Sequence, residues 1–210
     1  MAKESRLPGQ AGAPTLDTLV AGATRAGDGE ARGGLPPVHL WNPPFCGDID
    51  MRIARDGTWF YGGTPIGRPA LVRLFSTILR RDAERYVLVT PVEKVGIEVE
   101  DAPFLAVEMD RQDATLRLRT NVGDWVEAGA DHPLRFEPGP SGGLKPYVKV
   151  RGDLWALVSR PVFYDLVAGS ETREIDGVPT CGIASGGSFF PMMAAAELDR
   201  LAAADESPSS

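Results

Sequence analysis

The sequence is poor in the side chains that most metal sites and nucleophilic centres use. Two histidines, His39 and His132, and two cysteines, Cys46 and Cys181, are all that its 210 residues contain. The cysteines lack the paired spacing of a zinc site, and a chain of this size needs no disulfide, so two reduced thiols are expected. Positive charge is also short, with 22 Lys and Arg against 29 Asp and Glu, a formal net charge of −7. That balance disfavours a general nucleic-acid or anionic-membrane surface, because both depend on summed positive charge. No apolar run approaches the roughly 20 residues that span a bilayer, and Met1-Ala2-Lys3-Glu4-Ser5 lacks the apolar core of a secretion signal. A cytoplasmic protein without a cofactor is the expectation, and its oligomeric state is not legible.

What the sequence has is a repeat. Ile66-Gly67-Arg68-Pro69 followed by an apolar run returns as Val158-Ser159-Arg160-Pro161 and a second apolar run. Before each copy come a strand-like triplet (Met51-Arg52-Ile53, Val148-Lys149-Val150), an Asp and Gly in either order, and a tryptophan, Trp59 or Trp155. A Gly-containing strand pattern follows each, through Gly96 and Gly182. Proline tolerates the first helical turn, where its missing N–H has no partner and its φ is already helical. Leu71, Leu74, Phe75 and Ile78 then recur at i, i+3, i+4 and i+7 as one apolar face, with Arg80 and Arg81 placed to suit the negative helix end. The reading is α+β: two small domains from an internal duplication, each a bent antiparallel sheet with one helix.

The boundaries follow from composition. Residues 1–34 read as a flexible tail with a short helix from Thr15 through Leu16, Leu19 and Val20. Residues 35–112 and 113–191 are the two repeat domains, and 192–210 a second flexible tail. The proline-rich Leu35 to Pro44 stretch is expected to run extended, pinned by Trp41. Phe60 to Pro65 reads as a loop leading into the first helix.

Catalytic patterns are weak. Gly139 to Lys145 is glycine-rich, but Pro146 stands where a phosphate loop needs Ser or Thr. Ser185 matches a nucleophile elbow on one flank alone, and a triad would have to recruit His132 or His39. Glu98 and Glu100 share a strand face that alternation assigns to solvent. Charge is segregated: residues 51–85 hold seven Arg and three acids, whereas 86–110 hold six acids and Lys94. The two stretches either offer an anion site or neutralise each other as surface pairs.

Several runs carry a resemblance: Trp41-Asn42-Pro43-Pro44-Phe45-Cys46-Gly47, Asp56-Gly57-Thr58-Trp59, Gly63-Thr64-Pro65-Ile66, Thr90-Pro91-Val92-Glu93-Lys94-Val95, and more loosely Arg160-Pro161-Val162. On these the chain resembles the bacterial domain-of-unknown-function family 1285, from about Thr15 to about Pro191. The resemblance implies a duplicated α+β core, a second domain superficially like pleckstrin-homology barrels, a cleft between domains and a role in signalling, with no activity attached. Clefts at such junctions favour ligands. The expected function is therefore a binding or regulatory module, not an enzyme, for a small anionic molecule or a protein partner. Its expected ligand contacts are Arg55, Trp59, Tyr61, Thr64, Arg68, Thr90, Glu93, Lys94 and Arg160. The alternatives are a hydrolase-like enzyme using cleft residues and a nucleic-acid binder through the Arg-rich first repeat.

Overall fold

The computed structural model describes residues 15–28, 34–139, 143–198 and 200. Of the tails expected at 1–34 and 192–210, residues 1–14, 29–33, 199 and 201–210 lie outside them, whereas residues 192–194 end a strand, so 192 is too early a start for the second tail. In chain order the elements are α1 (Leu16–Asp28), β1 (Phe45–Ile53), β2 (Trp59–Tyr61), β3 (Thr64–Pro65), α2 (Pro69–Thr77), β4 (Leu79–Asp82), β5 (Arg85–Val89), β6 (Lys94–Val99), β7 (Phe104–Gln112) and β8 (Thr115–Thr120). They continue as β9 (Trp125–Glu127), β10 (Leu134–Pro138), β11 (Leu144–Arg151), β12 (Leu154–Val158), α3 (Arg160–Ala168), β13 (Glu171–Ile175), β14 (Val178–Ser185) and β15 (Ser188–Ala194). The fold is a duplicated α+β: each copy runs strand, Gly-containing turn, Trp-bearing strand, Pro-started helix, then a three-stranded meander. The described residues contain no helix long and apolar enough to cross a membrane.

The compact units are cut along different lines from the expected 35–112 and 113–191. Among the described residues, one comprises those up to 50 and 74–97, the other 51–73 and those from 98 onward.

In the first unit β6, β5 and β4 pair in succession beside the first half of β1. Ile78, Leu79, Leu88, Val89 and Val95 are all at most 1% exposed, and they form the core with Phe75. Helix α1 turns Leu19 and Ala23, one turn apart, into full burial. Its Gly22 lies so close to Thr90 that a Cβ there would sit 2.8 Å from the Thr90 methyl. Two expectations are corrected here. The first helix stops at Thr77, so Ile78 is buried from a connection and Arg80 and Arg81 lie on a strand, not at a helix end. The proline strap is not wholly extended, because Val38–Leu40 make a turn of 3-10 helix on the preset φ of Pro37. Arg80 holds that turn, its Nη1 donating to Val38 O at 2.6 Å and Trp41 O at 2.7 Å.

In the second unit, β2 pairs with the end of β1 (Met51 opposite Tyr61, Ile53 opposite Trp59) and with β3. Phe60 to Pro65 is thus a tight hairpin, not an open loop, because Gly62 and Gly63 both take positive φ (55° and 72°). A six-stranded sheet runs β10-β11-β12-β7-β8-β9, antiparallel except where β12 lies parallel to β7. A separate three-stranded sheet holds β13-β14-β15. Phe104, Ala106, Leu116, Leu118, Val148, Ala156, Leu166 and Ile183 are buried as its core.

Candidate functional site

The second unit carries two grooves, one lined by Arg119 of β8 and the other by Arg117 of β8 and Trp125 of β9. Strand β8 alternates, burying Leu116 and Leu118 and leaving Arg117 and Arg119 half-exposed on the other side. Trp125 on β9 is directly opposite Arg119 and Glu127 opposite Arg117, so all four side chains share that face. The Arg117 and Arg119 guanidinium carbons lie 5.1 Å and 6.0 Å from the Trp125 ring centroid. Trp125 nevertheless remains 41% exposed.

The first groove has a volume of about 530 Å³ and is lined by the β1–β2 turn, the start of α2 and the turn after β8. Its charged lining residues are Arg73 and Arg119; no carboxylate lines it, but Arg119 is paired outside the lining with Glu108, its Nε donating to Glu108 Oε2 at 2.6 Å. Two glycines let these segments close up. Gly57, at φ 82°, leaves room for Asn121, whose Nδ2 donates to Gly57 O at 3.2 Å while its Oδ1 accepts from Leu105 N at 3.1 Å. A Cβ on Gly57 would lie 2.6 Å from that amide nitrogen. Gly123, at φ 91°, leaves the same margin for Arg73, whose Nη1 donates to Val122 O at 3.1 Å. Asp56 fixes the turn itself by accepting from Thr58 N at 2.9 Å, and that bond holds its carboxyl below the usual range.

The second groove, about 510 Å³, has Arg117, Trp125, Glu127, Asp131, His132 and Gly186 among its lining residues. Ser185 braces its floor: the hydroxyl donates to Ala128 O at 2.6 Å and accepts from Leu116 N at 2.8 Å, with the residue 1% exposed. Both bonding directions of that oxygen are engaged, so Ser185 is a strut between β14 and β8. His132 Nδ1 lies 3.0 Å from Lys149 O; a carbonyl can only accept, so the bond requires the proton on Nδ1 and leaves Nε2 of the neutral ring as an acceptor.

The expected ligand residues fall in separate places. Thr90, Glu93 and Lys94 belong to the first unit. There the buried Thr90 hydroxyl serves its own turn, accepting from Glu93 N at 3.2 Å, and Lys94 Nζ donates to Asp82 at 2.8 Å. Asp82 also accepts from Arg80 at 2.6 Å, and this bond first, with Lys94 second, holds its carboxyl below the usual range. The other expected residues belong to the second unit. Trp59, 1% exposed, lines the first groove, and Arg68 is exposed between its lining residues Gly67 and Pro69. No carboxylate among the described residues pairs with Arg68. Tyr61 and Thr64 face each other across the Gly62-Gly63 hairpin. Arg55 points to the joint between β6 and β7, its Nε 3.6 Å from Asp101. Arg160 lines neither groove and donates from Nε to Tyr164 Oη at 3.2 Å.

The segregated charges largely resolve into pairs. Arg52 bonds Glu100, Arg80 bonds Asp82, Arg85 bonds Asp48, and Arg81 lies 3.5 Å from Glu84. Asp101, with a side chain 6% exposed, accepts from Lys145 and from Tyr147 Oη at 2.7 Å. Arg73, Arg119 and Asn121 were not among the expected site residues. The signal for them was the alternation of Arg117 and Arg119 with leucines, together with the Asn121-Val122-Gly123 turn, read as connection alone.

The profile of the N-terminal domain of DUF1285, a domain of unknown function, matches residues 36–102, and that of its C-terminal domain residues 103–192. The first groove is thus lined from both family domains. No curated protein matches the chain. Among solved structures, a DUF1285 family protein from Silicibacter pomeroyi DSS-3 is 53% identical, with a TM-score of 0.75, over 87% of this chain and 98% of that one. Another, from Shewanella baltica OS155, is 30% identical with a TM-score of 0.48, over 57% of this chain and 91% of that one. The chain belongs to the DUF1285 family.

Proposed function

We propose that the protein is a cytoplasmic binding module, regulatory in role, that takes a small anionic ligand in the first groove. One observation carries this: the charged side chains lining the groove are both arginines, of which Arg119 is paired with Glu108 outside the lining and Arg73 donates to the backbone carbonyl of Val122. The start of the nine-residue helix α2 adds its positive end through Pro69 and Ala70, and Arg68 stands beside it with no carboxylate partner among the described residues. A forked guanidinium suits a carboxylate or phosphate. The hydrolase reading is disfavoured by the spent hydroxyl of Ser185, and the nucleic-acid reading by the pairing of Arg52, Arg80 and Arg85 with acids.

The experiment is a thermal-shift screen of the intact chain against inorganic phosphate, pyrophosphate, citrate and nucleoside phosphates. A ligand at a hundred times its dissociation constant stabilises by roughly 2.7 kcal/mol. Arg68→Met should then abolish most of the shift and Arg160→Met preserve it. No shift with any of these anions, or an undiminished one in folded Arg68→Met, overturns the proposal.

A further inference from the structure

We infer that the anion is a nucleoside phosphate, lying with its phosphate in the first groove and its base against Trp125 in the second. The inference rests on the anionic reading of the first groove and adds the class of molecule. It starts from the contrast between the two linings. The first groove is lined by Arg73 and Arg119 and by no acid, although Arg119 also bonds Glu108 outside the lining, whereas the second is lined by Arg117 together with Glu127 and Asp131. An ion alone would use only the first. The second favours a neutral group that donates hydrogen bonds, since it offers two carboxylates and the Nε2 acceptor of His132.

The grooves adjoin. Arg119 lines one, Trp125 lines the other, and the two are directly opposed across β8 and β9. From Arg119 to Arg117 is two residues of strand, roughly 7 Å, a step that a ribose can bridge. Trp125 keeps 41% of its surface in water although Arg117 and Arg119 both lie over its ring. An open indole flanked by guanidinium planes is a stacking ladder onto which a flat base adds as a further layer. Exocyclic amino groups of a base, or the ribose hydroxyls, then donate to Glu127, Asp131 and His132. A sugar phosphate would use the acceptors without the ring, and a nucleoside would lack the charged end.

The test titrates the intact chain with AMP, GMP, ribose 5-phosphate, adenosine and inorganic phosphate, by calorimetry and by tryptophan fluorescence. At least one nucleotide should bind about tenfold or more tighter than ribose 5-phosphate and quench fluorescence, since base stacking is of that size. Trp125→Leu should remove the quench and that advantage while leaving inorganic phosphate affinity unchanged. Trp125→Phe should recover part of it, which separates loss of the ring from damage to the edge strand. Equal affinities for phosphate, ribose 5-phosphate and nucleotides, unmoved in Trp125→Leu, overturn this inference and leave the anion reading standing. If none of the probes binds, this inference falls, and the anion reading falls with it when pyrophosphate and citrate also give no thermal shift.

Discussion

The two copies of the repeat begin alike and finish differently. Each presents a proline-started helix of nine residues after a tryptophan-bearing strand. In the first copy the meander β4-β5-β6 returns to its own β1, whereas in the second β13-β14-β15 form a sheet of their own and β12 takes β7 as a parallel neighbour. The helix starts differ as well. Arg160 is held by Tyr164 one turn on, but the residue one turn after Arg68 is Val72, which offers no hydroxyl and no ring. Position five after the arginine is Arg73 in one copy and Asp165 in the other. The two copies thus share a helix start that is open and cationic at Arg68 and closed by Tyr164 at Arg160.

The largest contrast should be in the tryptophans. Trp59 is 1% exposed, while Trp155 is half-buried with the Arg135 guanidinium 4.1 Å above its ring. Trp59→Ala should cost about 3–5 kcal/mol in urea denaturation, and Trp155→Ala about 1–2 kcal/mol. Equal losses would remove the claim that burial distinguishes the copies.

The turns come next. Gly57 and Gly152 both take positive φ (82° and 49°), but a Cβ at Gly57 meets Asn121 whereas none lies within 4 Å at Gly152. Gly152→Ala should cost about 1 kcal/mol for the strained φ alone and Gly57→Ala about 2 kcal/mol. Asn121→Ala combined with Gly57→Ala should narrow that gap; an unchanged gap would show that crowding is not its source.

Titration should separate the copies by pH. In the second copy burial first, then the bond to Asp101, pushes the Tyr147 phenol up from its ordinary 10.0, and the bond to Asp101 first pushes Lys145 up from 10.5. Groups with raised folded values contribute stability that is present at neutral pH and lost as pH climbs through and beyond about 10. In the first copy Asp82 is held below 3.8, chiefly by Arg80, so its contribution is present above that value and lost as pH falls below it. Tyr147→Phe should cost about 1.5 kcal/mol near neutrality and flatten the alkaline limb of the stability profile. An unchanged alkaline limb would assign the buried cluster the wrong titration.

The smallest effects on stability are those of the helix-start arginines. Arg68→Met and Arg160→Met should each stay within about 0.5 kcal/mol, since both are exposed. Their difference should appear in ligand binding instead, lost in the first and kept in the second. A matching loss in both would erase the functional distinction between copies.

Much of this contrast was legible in the chain. Pro69 and Pro161 mark two helix starts, Asp56-Gly57 marks a turn, and the Leu116, Leu118 alternation marks a half-buried strand. The helix end was not, because Ile78 continues the apolar spacing of α2 and yet is buried after the chain has left the helix. Periodicity records which side chains are buried, not which backbone buries them. The Gly62-Gly63 hairpin was missed for the related reason that two glycines permit a loop and a tight reversal equally.

The chemistry-bearing residues divide along the same line. Local sequence determined the apolar faces, the turns and the repeat itself, because these depend on φ preferences and on neighbours within a few residues. It also determined that Arg117 and Arg119 share one face. Only the tertiary structure decided that Trp125 stands opposite Arg119, that Arg73 packs on the turn at Gly123, and that Thr90 and Lys94 are engaged within their own unit. Strand partners and register arise from burial competing over the whole chain, so no short window of sequence contains them.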